Sequence, residues 1–167
     1  VISSLNVTAF CTNAVPISSN TAYDQDNADI NDRYIVYDEK VPNPLRFTDV
    51  RGYDLGFDRI FGTIDDANVG LISTVNSGAV GFSYRVFPKV NANGLVAFAR
   101  ETPITNPPCN AQIELVTCNF GPSPTCDNSI TIHDVIPIVP QSIFCVPAGY
   151  FRSYDILGNV LAYAKSD

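Results

Sequence analysis

The chain contains no methionine and no tryptophan, and only one histidine, three glutamates and three lysines among its 167 residues. Each scarcity excludes something. With so few of the straight-chain helix formers, and with Val, Ile, Phe, Tyr, Thr and Asn abundant, the chain has strand-and-turn chemistry rather than helix chemistry. It lacks any unbroken apolar run of about 20 residues, the length that a membrane-spanning helix needs. Ten Lys and Arg stand against 17 Asp and Glu, a net charge of −7 without a basic cluster; such a field repels nucleic acid and anionic headgroups. His133 is the only histidine and no Cys-x2-Cys pair occurs, so zinc has no patterned ligand set. The missing methionine extends to position 1, from which we expect a mature secreted chain whose signal peptide has been removed.

What is present is 46% hydrophobic and alternates in type along the chain. Period-two runs occur at Leu5-Val7-Ala9-Cys11, Ile35-Tyr37, Leu55-Phe57-Arg59-Phe61, Val69-Leu71-Ser73-Val75, Val80-Phe82-Tyr84-Val86, Leu95-Ala97-Ala99, Ile113-Leu115-Thr117, Ile130-Ile132-Asp134-Ile136 and Val160-Ala162-Ala164. Each predicts a strand with one face buried and one wet. Asn76-Ser77-Gly78, Asn93-Gly94 and Gly158-Asn159 supply the positive-φ residues of hairpin turns, and the clearest hairpin pairs 80–87 with 95–100. Prolines cluster in 103–108, 122–124 and 137–147, which reads as connections. The expected fold is all-β: a single β-sandwich or jelly-roll domain of about ten short strands, with residues 1–11 as a leading strand or arm and 12–167 as the sandwich.

Five cysteines, Cys11, Cys109, Cys118, Cys126 and Cys145, point to an oxidising compartment. Their odd number leaves one thiol over. The late four are disulfide candidates, with a local Cys118–Cys126 bridge the preferred pair; Cys11 is free and buried, joined to another molecule, or paired in its own chain. An intermolecular bond at Cys11 is expected to give a ladder of species on a non-reducing gel. Asn6-Val7-Thr8 is a glycosylation sequon, with Asn6 the acceptor.

Residues 12–32 are polar and rich in Asp and Asn, and read as a long connection. Within them Asp24, Asp26, Asp29 and Asp32 offer closely spaced oxygens of the kind calcium takes. The EF-hand pattern fails, since Ala28 stands at the fifth position and Ile35 at the twelfth, so the alternatives are a solvated acidic loop and a non-EF calcium site. Asp65-Asp66 reads as a turn. No other cofactor is implied.

No catalytic signature occurs, and we expect no enzyme: Asp134 follows His133 in an extended run, so the two side chains point to opposite faces and cannot form a triad pair. Tyr23, Tyr34, Tyr37, Tyr53, Tyr84, Tyr150, Tyr154 and Tyr163 leave carbohydrate as a candidate partner, through loops or faces of the sandwich. In overall pattern the chain is similar to secreted, disulfide-bearing jelly-roll subunits that polymerise into extracellular fibres, including bacterial pilus and spore-appendage proteins. That architectural likeness implies an extracellular or cell-surface structural subunit whose partner is itself. Assembly would run through Leu5, Val7, Ala9 and Cys11, donated to a neighbour's sheet instead of its own. The alternative is a monomeric adhesion or carbohydrate-binding module, with or without calcium.

Overall fold

The computed structural model describes residues 24–40, 48–74, 86–103, 109, 111–141 and 144–166. Among these are eleven strands and one helical turn. An antiparallel sheet runs β1 (Asp24–Asn31), β2 (Tyr34–Lys40), β3 (Thr48–Asp54) and β4 (Ala67–Thr74), in that order. A second runs β5 (Lys89–Val90), β6 (Leu95–Pro103), β7 (Ala111–Asn119), β8 (Thr131–Gln141) and β9 (Phe144–Pro147), with the turn α1 (Thr125–Asn128) between β7 and β8. β10 (Tyr150–Leu157) and β11 (Val160–Ser166) form a separate hairpin. The fold is an all-β sandwich. Neighbours in each sheet are consecutive in the chain, so the described strands form stacked meanders, without the Greek-key crossings of a jelly roll.

The five-stranded sheet has a core on each face. Even-numbered Val96, Phe98, Val116 and Cys118 meet Val36, Val50 and Ile72 of the four-stranded sheet, whereas odd-numbered Ala97, Ala99, Ile113 and Leu115 meet Phe151, Tyr154 and Ile156 of the hairpin. Three layers result, with β6 and β7 shared by both cores. Phe98, with no exposed surface, contributes roughly 2–3 kcal/mol by burial alone. Gly52 on β3 permits the close approach of the layers, because a Cβ there would lie 2.5 Å from Ile72 Cδ1 and 2.8 Å from Phe120 Cε2.

Several elements depart from the alternation. Acidic residues 24–31 form β1, not a loop, because six of them pair in register with β2, from Asp24 opposite Lys40 to Asn31 opposite Tyr34. Residues 55–61 form turns in place of a strand: Gly56, Arg59 and Gly62 all take positive φ, which breaks extended geometry. A bulge in β8 sets Asp134 opposite Leu115 and Ile132 opposite Val116, so the expected single face of Ile132, Asp134 and Ile136 is divided between two faces. Pro137 and Pro140 lie inside β8, where it leaves β7 and passes to β9; a missing N–H is tolerated there. The Asn93-Gly94 turn is present, with Gly94 at φ 73° and its N–H bonded to Asn91 O at 3.0 Å. Its first arm is the short β5, and most of the expected 80–87 strand lies outside the described residues, as do the Asn76-Ser77-Gly78 turn and residues 1–11.

Candidate functional site

The β10–β11 hairpin covers the second core alone among the described strands. Gly158 and Asn159 make its two-residue turn, with Gly158 at φ 56°, and Asn91 Nδ2 donates to Gly158 O at 2.5 Å, fixing the tip over the β5–β6 turn. On β10 an extra residue at Arg152 bulges the strand, so that Phe151, Tyr154 and Ile156 all face inward. At the other end, Lys165 Nζ donates to Asp134 Oδ1 at 3.0 Å and to Val135 O at 2.9 Å. Partial burial pushes the Asp134 carboxyl up, but Lys165, the Val135 N–H and the Tyr163 hydroxyl outweigh it and hold the group below the usual carboxylate range.

β11 itself is Val160-Leu161-Ala162-Tyr163-Ala164-Lys165-Ser166. Leu161 packs on the core and Tyr163 meets Phe151 edge-on at 6.0 Å. Val160, Ala162 and Ala164, expected as the buried face, are the exposed one, with Val160 68% exposed. Five consecutive apolar residues carry no polar marker of which parity faces in. Among the described residues, no backbone hydrogen bond reaches the outer edge of either hairpin strand.

A second feature is the β3–β4 loop, residues 55–66. Asp65 accepts the Phe57 N–H at 2.7 Å and the Thr63 hydroxyl at 2.8 Å, which hold its carboxyl below the ordinary range. Asp66 accepts the Gly62 N–H at 2.6 Å and the Tyr53 hydroxyl at 3.0 Å, and Asp58 accepts the Ile60 N–H at 2.9 Å. Asp58, Asp65 and Asp66 each bring one oxygen within 4.8 Å of the others. The sequence signal is Gly56 and Gly62 on either side of Asp58, with Asp65-Asp66 three residues further on; of these only the turn at Asp65-Asp66 is expected from the sequence. Arg33 lies over Phe57 at 4.6 Å and Tyr34 at 5.0 Å, and Arg59 pairs with Asp32, so the loop is tied to the β1–β2 turn. Phe57, Ile60 and Ile64 remain exposed.

Of the calcium candidates, Asp29 and Asp32 are held by protein partners. Asp29 accepts the Val90 N–H at 2.9 Å and Lys89 Nζ at 3.2 Å, joining β1 to β5. Asp32 meets Arg59 instead. Asp24 and Asp26 lie on β1 opposite Lys40 and Asp38. His133 Nε2 lies 2.8 Å from Thr117 Oγ1, with Asp134 turned to Lys165. The described tyrosines lie in the two outer layers and not in the five-stranded sheet: Tyr34 packs on Phe120 at 4.7 Å, Tyr53 stacks on Phe61 at 5.3 Å, and Tyr37 and Tyr154 are buried.

A buried acid that the sequence reading passed over is Glu114, 2% exposed. It accepts Arg100 Nε and Nη2 at 3.0 and 2.9 Å, Thr102 Oγ1 at 2.9 Å and Gln112 Nε2 at 2.8 Å. All four residues are even-numbered, one face of β6 and β7, which is the pattern that could have revealed them.

The cysteines pair as Cys109–Cys145 and Cys118–Cys126. The second is the local bridge expected over 119–125, and Cys126 is fully buried. Cys11, Asn6, Leu5, Val7 and Ala9 lie outside the described residues. No described helix is long and apolar enough to cross a membrane. No family model, no curated protein and no solved structure matches the chain.

Proposed function

We propose that the protein is a secreted structural subunit that assembles with copies of itself, by donating the segment 1–11 as a strand to a neighbour. One observation carries the reading: among the described residues the layer over the second core is two strands wide, against four over the first, so on the described strands one side of the sandwich has room for an added strand. Two internal disulfides fit an oxidising compartment outside the cytoplasm. The net charge of −7 keeps unassembled copies apart in solution. The chemistry of the assembly is adhesion: main-chain hydrogen bonds along the added strand and burial of its alternating apolar side chains.

The test is the full chain against Leu5→Asp/Val7→Asp, by sedimentation velocity and negative-stain microscopy. Polymers from the parent chain are expected, and from the variant monomers with an unchanged circular dichroism spectrum. A monomeric parent, or a variant that polymerises equally well, returns the protein to the class of monomeric binding modules. A variant that unfolds puts the segment in its own sheet and likewise overturns the reading.

A further inference from the structure

We infer that the edge accepting the donated strand is the outer edge of β11, and that its occupant is the segment 1–11 of a second copy. The inference rests on the strand-donation reading and adds its address. An open edge invites pairing unless charge, proline, bulge, shortness or a covering segment blunts it, and the other described edges are blunted. β1 carries Asp24, Asp26 and Asp29, is bulged, and is fastened to β5 through Asp29. β4 is irregular opposite β3 at two points and is met by the Ser123 N–H at Leu71 O, 2.8 Å away. β5 has two residues, and β9 has four and ends in Pro147. β10 bears Arg152 and Asp155 and the hairpin's bulge. β11 alone presents five uncharged residues, Val160 to Ala164, with no proline and no inserted residue.

The donor suits this edge in charge, phase and reach. Residues 1–23 contain no charged side chain, Asp24 being the first, so on a chain of net charge −7 this segment and β11 meet without carboxylate repulsion. Inward-facing Leu161 and Tyr163 alternate with outward Ala162 and Ala164. A strand alongside would continue that alternation, with Leu5, Val7, Ala9 and Cys11 extending the inner face. Residues 12–23, at about 3.3 Å each, span about 40 Å, comparable with the diameter of a domain of this size. The segment can therefore leave its own copy and lie on another.

Amide hydrogen exchange on the full chain, assembled and as the Leu5→Asp/Val7→Asp variant, tests this. On assembly, alternate amides between 160 and 165 are expected to slow at least tenfold, while those of β10 do not. If the variant loses assembly but the β11 amides of the parent are no slower, the acceptor is elsewhere, and this inference fails while strand donation stands. If the variant assembles normally, strand donation itself fails. Protection of β11 that persists at all dilutions in monomeric parent protein identifies the chain's own segment as the occupant and overturns the second-copy assignment.

Discussion

The hydroxyl of Tyr154 accepts the amide N–H of Ala99 at 3.2 Å, so one side chain of the hairpin bonds the backbone of the central sheet. The same oxygen accepts the Phe87 N–H at 3.1 Å. Tyr154→Phe keeps the ring and removes the acceptor, stranding a buried donor at Ala99. The expected loss is about 1–3 kcal/mol, or roughly 3–10 °C in melting temperature. A shift below 1 °C would show that this contact does not secure the hairpin.

Glu114 sets part of the acid sensitivity. Burial raises its pKa, but the Gln112 amide, the Thr102 hydroxyl and Arg100 together outweigh burial and hold it below the ordinary value. A group depressed in the folded state contributes stability above its unfolded pKa of about 4.3, and that contribution is lost as pH falls through the lower folded value. Glu114→Ala leaves Arg100 facing an uncharged site and is expected to cost about 3 kcal/mol at pH 7. In urea titrations the gap between parent and variant should narrow from pH 4 downward; a gap constant from pH 7 to pH 3 contradicts the assignment.

The Cys109–Cys145 bond joins residues 36 apart. By loop-closure entropy it is worth about 4 kcal/mol. Cys109→Ala/Cys145→Ala should lower the urea-derived stability by that order, and a loss under 1 kcal/mol would place the stabilisation elsewhere.

Two internal bonds occupy four of the five thiols. Among identical chains the remaining partner for Cys11 is Cys11 of another copy, and one sulfur makes one such bond. Covalent linkage therefore stops at pairs, which corrects the ladder expected from the thiol count. Non-reducing denaturing electrophoresis of assembled protein should give monomer and dimer alone, and Cys11→Ser should remove the dimer while polymers persist. Higher rungs would mean that an internal bond has exchanged.

Strand chemistry, the Asn93-Gly94 and Gly158-Asn159 turns and the Cys118–Cys126 bridge were legible because each depends on a few adjacent residues. What escaped the reading depends on contacts between distant ones. Leu55 to Phe61 alternates like a strand, but Gly56 sits where a Cβ would lie 2.2 Å from Asp65 Oδ2, a clash no local pattern records. Asp24 to Asp32 reads as a loop by composition, yet β2 supplies the pairing that extends it. The parity of β11 is undetermined in a run without polar residues, and only Phe151 and the core choose it. The β8 bulge likewise has no signature in Ile132-His133-Asp134.

Because β6 and β7 line both cores, neither core can dissolve while the other stays intact: losing one face of the shared sheet removes the support of the opposite face. The three layers form one thermodynamic unit. Calorimetry should record a single endotherm whose van't Hoff and calorimetric enthalpies agree, and the last amides to exchange should be those of the middle of β6 and β7.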